Sequence, residues 1–482
     1  MPNVRLFAAV VLLTGVVASS GCPPAPEGIP TAGFTADVRY GKAPLTVQFT
    51  DQSIPGDSPI TAWSWRFGDG GGSAGPNPSH TYTQTGTYDV SLTVTNAQGS
   101  HRRTQTAYII TGNVWVGYLG GTADDTGAGV CRTRDGKFVL LGNTASAGAG
   151  GSDIWLIKLD AQGEEVWNYT YGGAGDDLGY AIIEASDGDL VVAGSTRSSG
   201  AGQEDFYLLR VTEAGVLRWQ KTFGTPNKDI AYDIVTTAEG GFLLAGETQN
   251  YPPDTVDVYA VKTNAAGTAL SGWPKVFKGS GRNAARAAYL TKDGGYVLAG
   301  YTTTPTSGVN NDIYVLRLTT DGTEVWTRTY GGFADDQAYD VLETSAGGIL
   351  VCGTYATTTV TGIDMVLVEL DDKGAVVRAT TFGGAKREQG RDIIPVTGGY
   401  LLLGATATYG AGGDDFYLVK INATGETFWT RTFGGPGDDS PAGLVEGGAG
   451  FVLAGSTQSF GAGGADLYFI KTNADGFGPS EE

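Results

Sequence analysis

One seven-residue phrase recurs along this chain and constrains its fold more than any other feature. It reads Y-G-G-A-G-D-D at Tyr171–Asp177, L-G-G-T-A-D-D at Leu119–Asp125, Y-G-G-F-A-D-D at Tyr330–Asp336 and F-G-G-P-G-D-D at Phe433–Asp439. Worn copies stand at Phe223–Asp229, Phe277–Asn283 and Phe382–Glu388. The copies end at residues 125, 177, 229, 283, 336, 388 and 439, so successive units lie 51 to 54 residues apart. A unit of that length is one supersecondary element that cannot bury its apolar face alone and must stack on its neighbours.

The second unit shows the internal plan. Four strands are expected: a near Gly179–Ala185, b at Leu190–Gly194, c at Asp205–Val211 and d at Val216–Phe223. Ser186–Asp189 is the a–b turn and Ser195–Gln203 a Ser/Gly-rich loop. Strands b and c are nearly continuous apolar runs, as strands covered on both faces should be. Strand d alternates and carries polar residues, which suits an outer edge. No helical spacing appears, so the pattern predicts an all-β protein with a seven-bladed β-propeller. The seventh unit supplies strands a, b and c, the last at Asp466–Asn473, and then stops. An orphan d-like strand, N-V-W-V-G-Y-L-G-G, stands before the first unit at Asn113–Gly121. Threading it into the last blade pairs two open edges and closes the ring.

Residues 33–112 are written differently. Ala43–Asp51 (A-P-L-T-V-Q-F-T-D), Trp63–Gly70 (W-S-W-R-F-G-D-G), His80–Tyr82 and Gly86–Asn96 are alternating strands with Gly/Asp turns. Together they closely resemble a PKD domain, which implies an immunoglobulin-like β-sandwich serving as an extracellular spacer or interaction module. Trp65 and Phe67 would face its core, Arg66 replaces a common Asp of the motif, and Gly68–Gly70 would form a turn. Residues 113–476 resemble the SBBP-type bacterial propeller repeat, through phrases such as Y-L-G-G-T-A-D-D followed by D-x-x-x-x-K. That resemblance implies a surface location and little about chemistry.

The N-terminus adds an address. Arg5 precedes an apolar run from Leu6 to Ala18, too short to span a bilayer, and residues 1–21 read as a signal peptide. Ser19-Ser20-Gly21-Cys22 resembles a bacterial lipobox with Ser19 where Leu is usual. The resemblance implies acylation of Cys22 and stable anchoring by two acyl chains. Pro23 follows, which favours the outer membrane or cell surface; release as a secreted protein is the other expectation. Residues 22–32 form a Pro-rich tether and residues 477–482 a tail. A net charge of −20 without any basic stripe argues against a nucleic-acid partner. A monomer is expected. Cys131 and Cys352 fall at apolar strand positions four blades apart and read as buried thiols.

Residues present in nearly every unit are read as building parts. These are the strand-d Trp set (115, 167, 219, 273, 326, 429, with Arg378 the exception), the Asp opening strand c, and a basic residue five positions later. The Trp should pack on the next blade, the Asp should bond backbone two residues on, and the basic residue should snorkel or pair at the blade edge. The D-D pairs could form a carboxylate ring that holds Ca²⁺, although no unit has a dedicated calcium-loop spacing; turn capping is the other reading. No other cofactor is expected.

Function is sought where the symmetry breaks. Three residues past each phrase stand Ala128, Tyr180, Tyr232, Arg286, Tyr339, Arg391 and Ala442, and one further on come Asp233, Asp340 and Asp392 in units three, five and six. Aromatic platforms, guanidiniums and carboxylates on the innermost strand make a candidate mouth for a polysaccharide or protein ligand. The alternative is blade packing by Tyr and local charge balance by Arg. Both histidines, His80 and His101, fall in or just after the PKD region, so the propeller cannot build a His-based metal or nucleophile site. A non-catalytic surface lipoprotein acting as a binding or adhesion module is therefore expected. The alternative is a secreted glycan-active enzyme using carboxylates at the mouth, since glycosidases need only a suitably spaced pair.

Overall fold

The computed structural model describes residues 28–479, apart from 251–254, 280, 304–309, 333 and 357–361, together with the backbone of Val4–Arg5. The leader, Cys22 and the tether up to residue 27 otherwise lie outside the described residues. Every regular element is a β-strand.

The N-terminal unit is a two-sheet sandwich. One sheet orders Phe34–Ala36, Leu45–Asp51 and Ser79–Tyr82. The other orders Tyr40–Gly41, Gly99–Thr111, Gly86–Asn96, Ala62–Arg66 and Gly72–Ser73. Trp65 and Phe67 alternate inward with Phe49, Tyr82 and Val90, while Arg66 points out. Gly68 and Gly70 sit at φ +88° and +94°, the left-handed turn that glycine supplies without strain. The expected tether is shorter than its sequence limits. Thr31 bridges Ile54, the Ala32 N–H donates to His101 Nδ1, and Asn96 Nδ2 donates to the Gly28 carbonyl, so residues 28–32 belong to the sandwich.

Seven sheets of four antiparallel strands follow. The first orders Asp125–Arg132, Phe138–Thr144, Asp153–Leu159 and Glu165–Tyr171; five more repeat that plan, from Asp177–Glu184 to Thr427–Phe433. Val4–Arg5 adds a parallel pairing to the outer edge of the fourth. The seventh sheet contains Asp439–Glu446, Phe451–Thr457, Asp466–Lys471 and, as its outer strand, Trp115–Leu119. Trp115 pairs with Lys471 and Leu119 with Leu467. The same junction closes the ring, because Asp125 N–H donates to the Ala465 carbonyl and Gly127 N–H to Ser456 Oγ.

The repeated residues explain the packing. In blade two, strands b and c are buried at every position, whereas strand d is half-buried or exposed throughout. Facing strands of adjacent blades supply a separate apolar core to each junction, such as Val192, Leu209 and Val211 against Leu141 and Leu156. The strand-d Trp does pack on the following blade. An added Cβ at Gly163, Gly267, Gly322, Gly374 or Gly476 would crowd the ring of Trp115, Trp219, Trp273, Trp326 or Trp429, and at Gly215 it would strike Tyr169, with Trp167 in contact beside it. Each of these glycines also has positive φ, so the position is doubly reserved. Arg378 fills the Trp position over Gly425 and donates to the Ala423 carbonyl.

One expectation needs correction. The strand-c Asp does not bond two residues ahead; it reaches four residues back, accepting the N–H of Ala149, Ala201, Ala411 or Ala462 and so gathering the b–c loop. Of the two roles expected for the strand-c basic residue, pairing is the one seen. Lys158 is 2% exposed and pairs with Glu213 at 3.0 Å, while Arg210 meets Asp187 and Asp189 at 2.5 and 2.8 Å. The partners lie in the a–b turn of the same blade or the c–d turn of the next, so these cations join turns at blade junctions. Cys131 and Cys352 are buried free thiols.

Candidate functional site

Each inner strand begins at the last residue of the repeated phrase, or in the fifth blade one residue later at Gln337, and is interrupted at the same place. The register shifts across 127/129, 179/181, 231/233, 285/287, 338/340, 390/392 and 441/443. The seven residues skipped by the ladder are Ala128, Tyr180, Tyr232, Arg286, Tyr339, Arg391 and Ala442. The positions where symmetry breaks are thus seven β-bulges, and a bulge re-aims a side chain away from the regular alternation. All seven are half-buried, whereas the inner-strand neighbours Gly179, Ala231, Ala285 and Ala338 are buried.

The bulge side chains meet around the ring. Tyr180 and Tyr232 stand edge to face with centres 5.3 Å apart. The Arg286 guanidinium lies 4.0 Å from the Tyr232 ring centre and 5.5 Å from that of Tyr301. Arg391 lies 4.4 Å from the Tyr339 ring centre and donates to Gln389 Oε1. Neither arginine forms an ion pair among the described residues, and Arg286 Nε is buried without an acceptor. Glu247 acts on Arg286 only at longer range. Burial pushes the phenols of Tyr180 and Tyr232 up, so both remain neutral donors.

The carboxylates one residue further on have a different task. Asp233 accepts its neighbour Ile234 N–H and, across the junction, Ala288 N–H, both at 2.7 Å. Asp340 accepts Val341 N–H and Ile393 N–H, and Asp392 accepts Leu444 N–H. Each therefore staples its blade to the next, just past that blade's bulge. Burial pushes Asp233 up to about 7. Asp340 and Asp392 share a hydrogen bond, and burial raises both, with Asp392 a further cause at Asp340. Burial also holds the adjacent Cys352 thiol well above its usual range. A carboxyl stapled through two N–H bonds has little freedom to reach a substrate.

The D-D pairs behave as clasps. Asp125 Oδ2 accepts the Gly121 N–H and the Ser146 hydroxyl, and Asp177 and Asp439 repeat that pattern with Gly173 and Ser198 and with Gly435 and Ser459. The first Asp of the pair reaches the b–c loop, as where Ser152 N–H donates to Asp176 and Ala465 N–H to Asp124. Among the described residues no group of three or more His, Cys, Asp or Glu is placed to hold a metal ion. These bonds are the turn capping expected as one of the two readings of the carboxylate repeat.

Two members of the rim were missed from the sequence, Glu247 and Tyr301, whose hydroxyl donates to Glu247 Oε2 at 3.4 Å. Both follow the glycine of strand b. Across the units that position reads Asn143, Ser195, Glu247, Tyr301, Thr354, Ala405 and Ser456, a second departure from symmetry that could have been found by the same comparison. Asn143 clasps Gly179 of the next blade in both directions, at 2.7 and 3.1 Å, so the position faces the following inner strand.

Comparison with known proteins agrees with this architecture. Residues 28–111 match the PKD domain family, and residues 185–217 and 291–323 match a β-propeller domain of unknown function, DUF5122. The regulatory protein FlaEY of Caulobacter vibrioides is 23% identical over 405 residues, covering 74% of this chain; the chain spans 38% of that relative's length. The solved PKD1 domain of the Vibrio cholerae metalloprotease PrtV is 34% identical, covering 17% of this chain and 99% of that one, with a TM-score of 0.16. A quinonprotein alcohol dehydrogenase-like protein from Bacteroides thetaiotaomicron is 12% identical over 72% of this chain and 94% of its own, with a TM-score of 0.29. The chain carries an N-terminal PKD domain of immunoglobulin-like fold, followed by a β-propeller region of the DUF5122 type.

Proposed function

We propose that this protein is a non-catalytic binding module of the cell surface, with the PKD domain as spacer and the propeller mouth as receptor for an anionic glycan or an acidic protein segment. The observation that carries the reading is the pair of guanidiniums at the bulge ring, Arg286 and Arg391. They are stacked on Tyr232 and Tyr339 and have no ion-pair partner among the described residues, in a chain of net charge −20. A stacked guanidinium presents its N–H edge as a preorganised fork for a carboxylate or sulfate, and neighbouring tyrosines offer faces and hydroxyls to a sugar ring. The small bulge residues Ala128 and Ala442 leave one side of the rim open to an extended ligand.

The module acts as a monomer tethered through acylated Cys22 at the outer membrane or cell surface, without a nucleic-acid partner. Palmitate labelling lost in Cys22→Ser would support the anchor. The glycan-active enzyme remains the second reading, because Asp340 and Asp392 are neighbouring buried carboxyls that interact with each other. Turnover of a fluorogenic glycoside panel, abolished by Asp392→Asn, would replace the first reading with the second. The primary test is an acidic-glycan array. Arg286→Ala and Arg391→Ala should fold normally and each lose array signal by roughly tenfold or more, the loss of one good charge-assisted contact. Unchanged signals would end the proposal.

A further inference from the structure

A cavity of about 330 Å³ lies away from the propeller mouth, where the PKD domain meets the outer strand of the sixth blade. The PKD wall comprises Arg39, Tyr40 and the run from Gln105 to Tyr108; the propeller wall comprises Arg431, Thr432, Phe433 and Phe477–Pro479. The two domains are fixed to each other nearby, where Asn473 Nδ2 donates to Thr87 Oγ1 at 2.9 Å.

The lining is unusual for so acidic a chain, since among the described residues it contains two arginines and no carboxylate. Arg431 is clamped flat, with its guanidinium 3.9 Å from the Phe477 ring centre and 4.9 Å from that of Trp429. It donates only to the backbone carbonyls of Thr430 and Asp475, and its Nε is buried with no acceptor. Burial holds its pKa below that of a free arginine, against the opposing pull of Asp475. From the opposite wall, the Arg39 guanidinium stands 5.5 Å from the Tyr108 ring centre. Between them Ala107 is held at φ +50°, the only positive φ of a non-glycine residue among the described residues, by its N–H bond to Asp89 Oδ1. A side chain kept in that region is strained and persists where its surroundings over-determine it.

The geometry points to this crevice as a second binding site, which takes the carboxylate-bearing sugar of an acidic polysaccharide. The carboxylate fits between Arg39 and Arg431, and Tyr108 and Phe477 offer ring faces on opposite walls. Gln105, Thr106 and Tyr40 supply the amide and hydroxyl groups that sugar hydroxyls require. The site exists only when both domains are present, so it also makes the PKD domain part of the recognition surface. It does not depend on the reading of the propeller mouth.

The test is calorimetric titration of the full chain with sodium glucuronate, and separately with glucose, which has a CH₂OH in place of the carboxylate. Glucuronate should bind and glucose should not. Arg431→Gln should weaken glucuronate by roughly tenfold or more, and Arg431→Lys should restore only part of the loss, because a single ammonium replaces the fork. As Arg431 also packs on two rings, Thr106→Trp gives an independent reading. Thr106 is exposed, so the variant should fold, yet its indole should fill the crevice and abolish binding. Equal glucuronate binding by wild type, Arg431→Gln and Thr106→Trp would overturn the assignment. So would equal affinity for glucose, or binding of triglutamate with none of glucuronate.

Discussion

Substituting Asp336 by Asn should flatten the pH dependence of stability, by an amount that follows from the surroundings of the carboxyl. Asp336 ends the phrase between blades four and five and is 0% exposed. Burial above all, helped by nearby Asp312 and Asp335, pushes its pKa from 3.8 up to about 7. The Ala356 and Gly332 N–H bonds, at 2.7 and 2.8 Å, work in the opposite direction. The folded state thus holds a proton that the unfolded chain releases above pH 3.8. Stability is greatest below that value, falls as pH rises through the interval, and levels off above about 7. For one such group the full loss is about 4 kcal/mol. Asp233, near 7, and Asp364 and Asp415, near 6, act in the same direction. Urea midpoints of wild type and Asp336→Asn should be compared at pH 4.5, 6 and 8. Asn does not titrate, so the variant should lose about 2–4 kcal/mol of the wild-type decline between the extremes. Parallel curves for the two proteins would show that Asp336 ionises normally and would refute the electrostatic reading of the junctions.

Two structural predictions accompany it. Trp115→Ala removes the ring that packs on Phe138 and Phe469 and covers the Gly163 turn, so it should destabilise by about 3–5 kcal/mol in denaturant titrations. A cost under about 1 kcal/mol would mean that the N-terminal strand does not close the ring. Gly172→Ala places a Cβ 1.7 Å from Asp153 Oδ1 and 2.8 Å from Asp177 Oδ2, and should lower the melting temperature by several degrees. Gly188→Ala is the control: its positive φ carries strain, but nothing lies within 4 Å of the new Cβ, so its cost should be smaller.

How far the sequence revealed this molecule depended on whether a feature is local or relational. The blade plan was legible because each strand carries its own signal. The boundaries of strand c at Asp205–Val211 agree with the sequence reading, and strand d starts one residue later, at Leu217. The closing strand was legible because an orphan copy at one end matched a missing copy at the other. Strand a was placed late, starting at Gly179 when it begins at Asp177, because the clasping Asp looks like a turn residue until its buried partners are seen. The offset that singled out Tyr180, Tyr232, Arg286, Tyr339 and Arg391 was visible in the text. That each is a bulge was not, since a bulge is defined only by the register of the partner strand. Asp233, Asp340 and Asp392 were read as part of the mouth for the same reason; the N–H groups that engage them belong to the next blade, 52 to 55 residues away.

The central claim is that ligand recognition belongs to the bulge ring. A crystal structure of the full chain soaked with the acidic oligosaccharide giving the strongest array signal tests it most directly. The account predicts density for an acidic group within hydrogen-bond distance of the Arg286 or Arg391 guanidinium, with a sugar ring against Tyr180, Tyr232 or Tyr339. Well-ordered ligand bound elsewhere, with the seven bulge side chains unchanged and uncontacted, would contradict it.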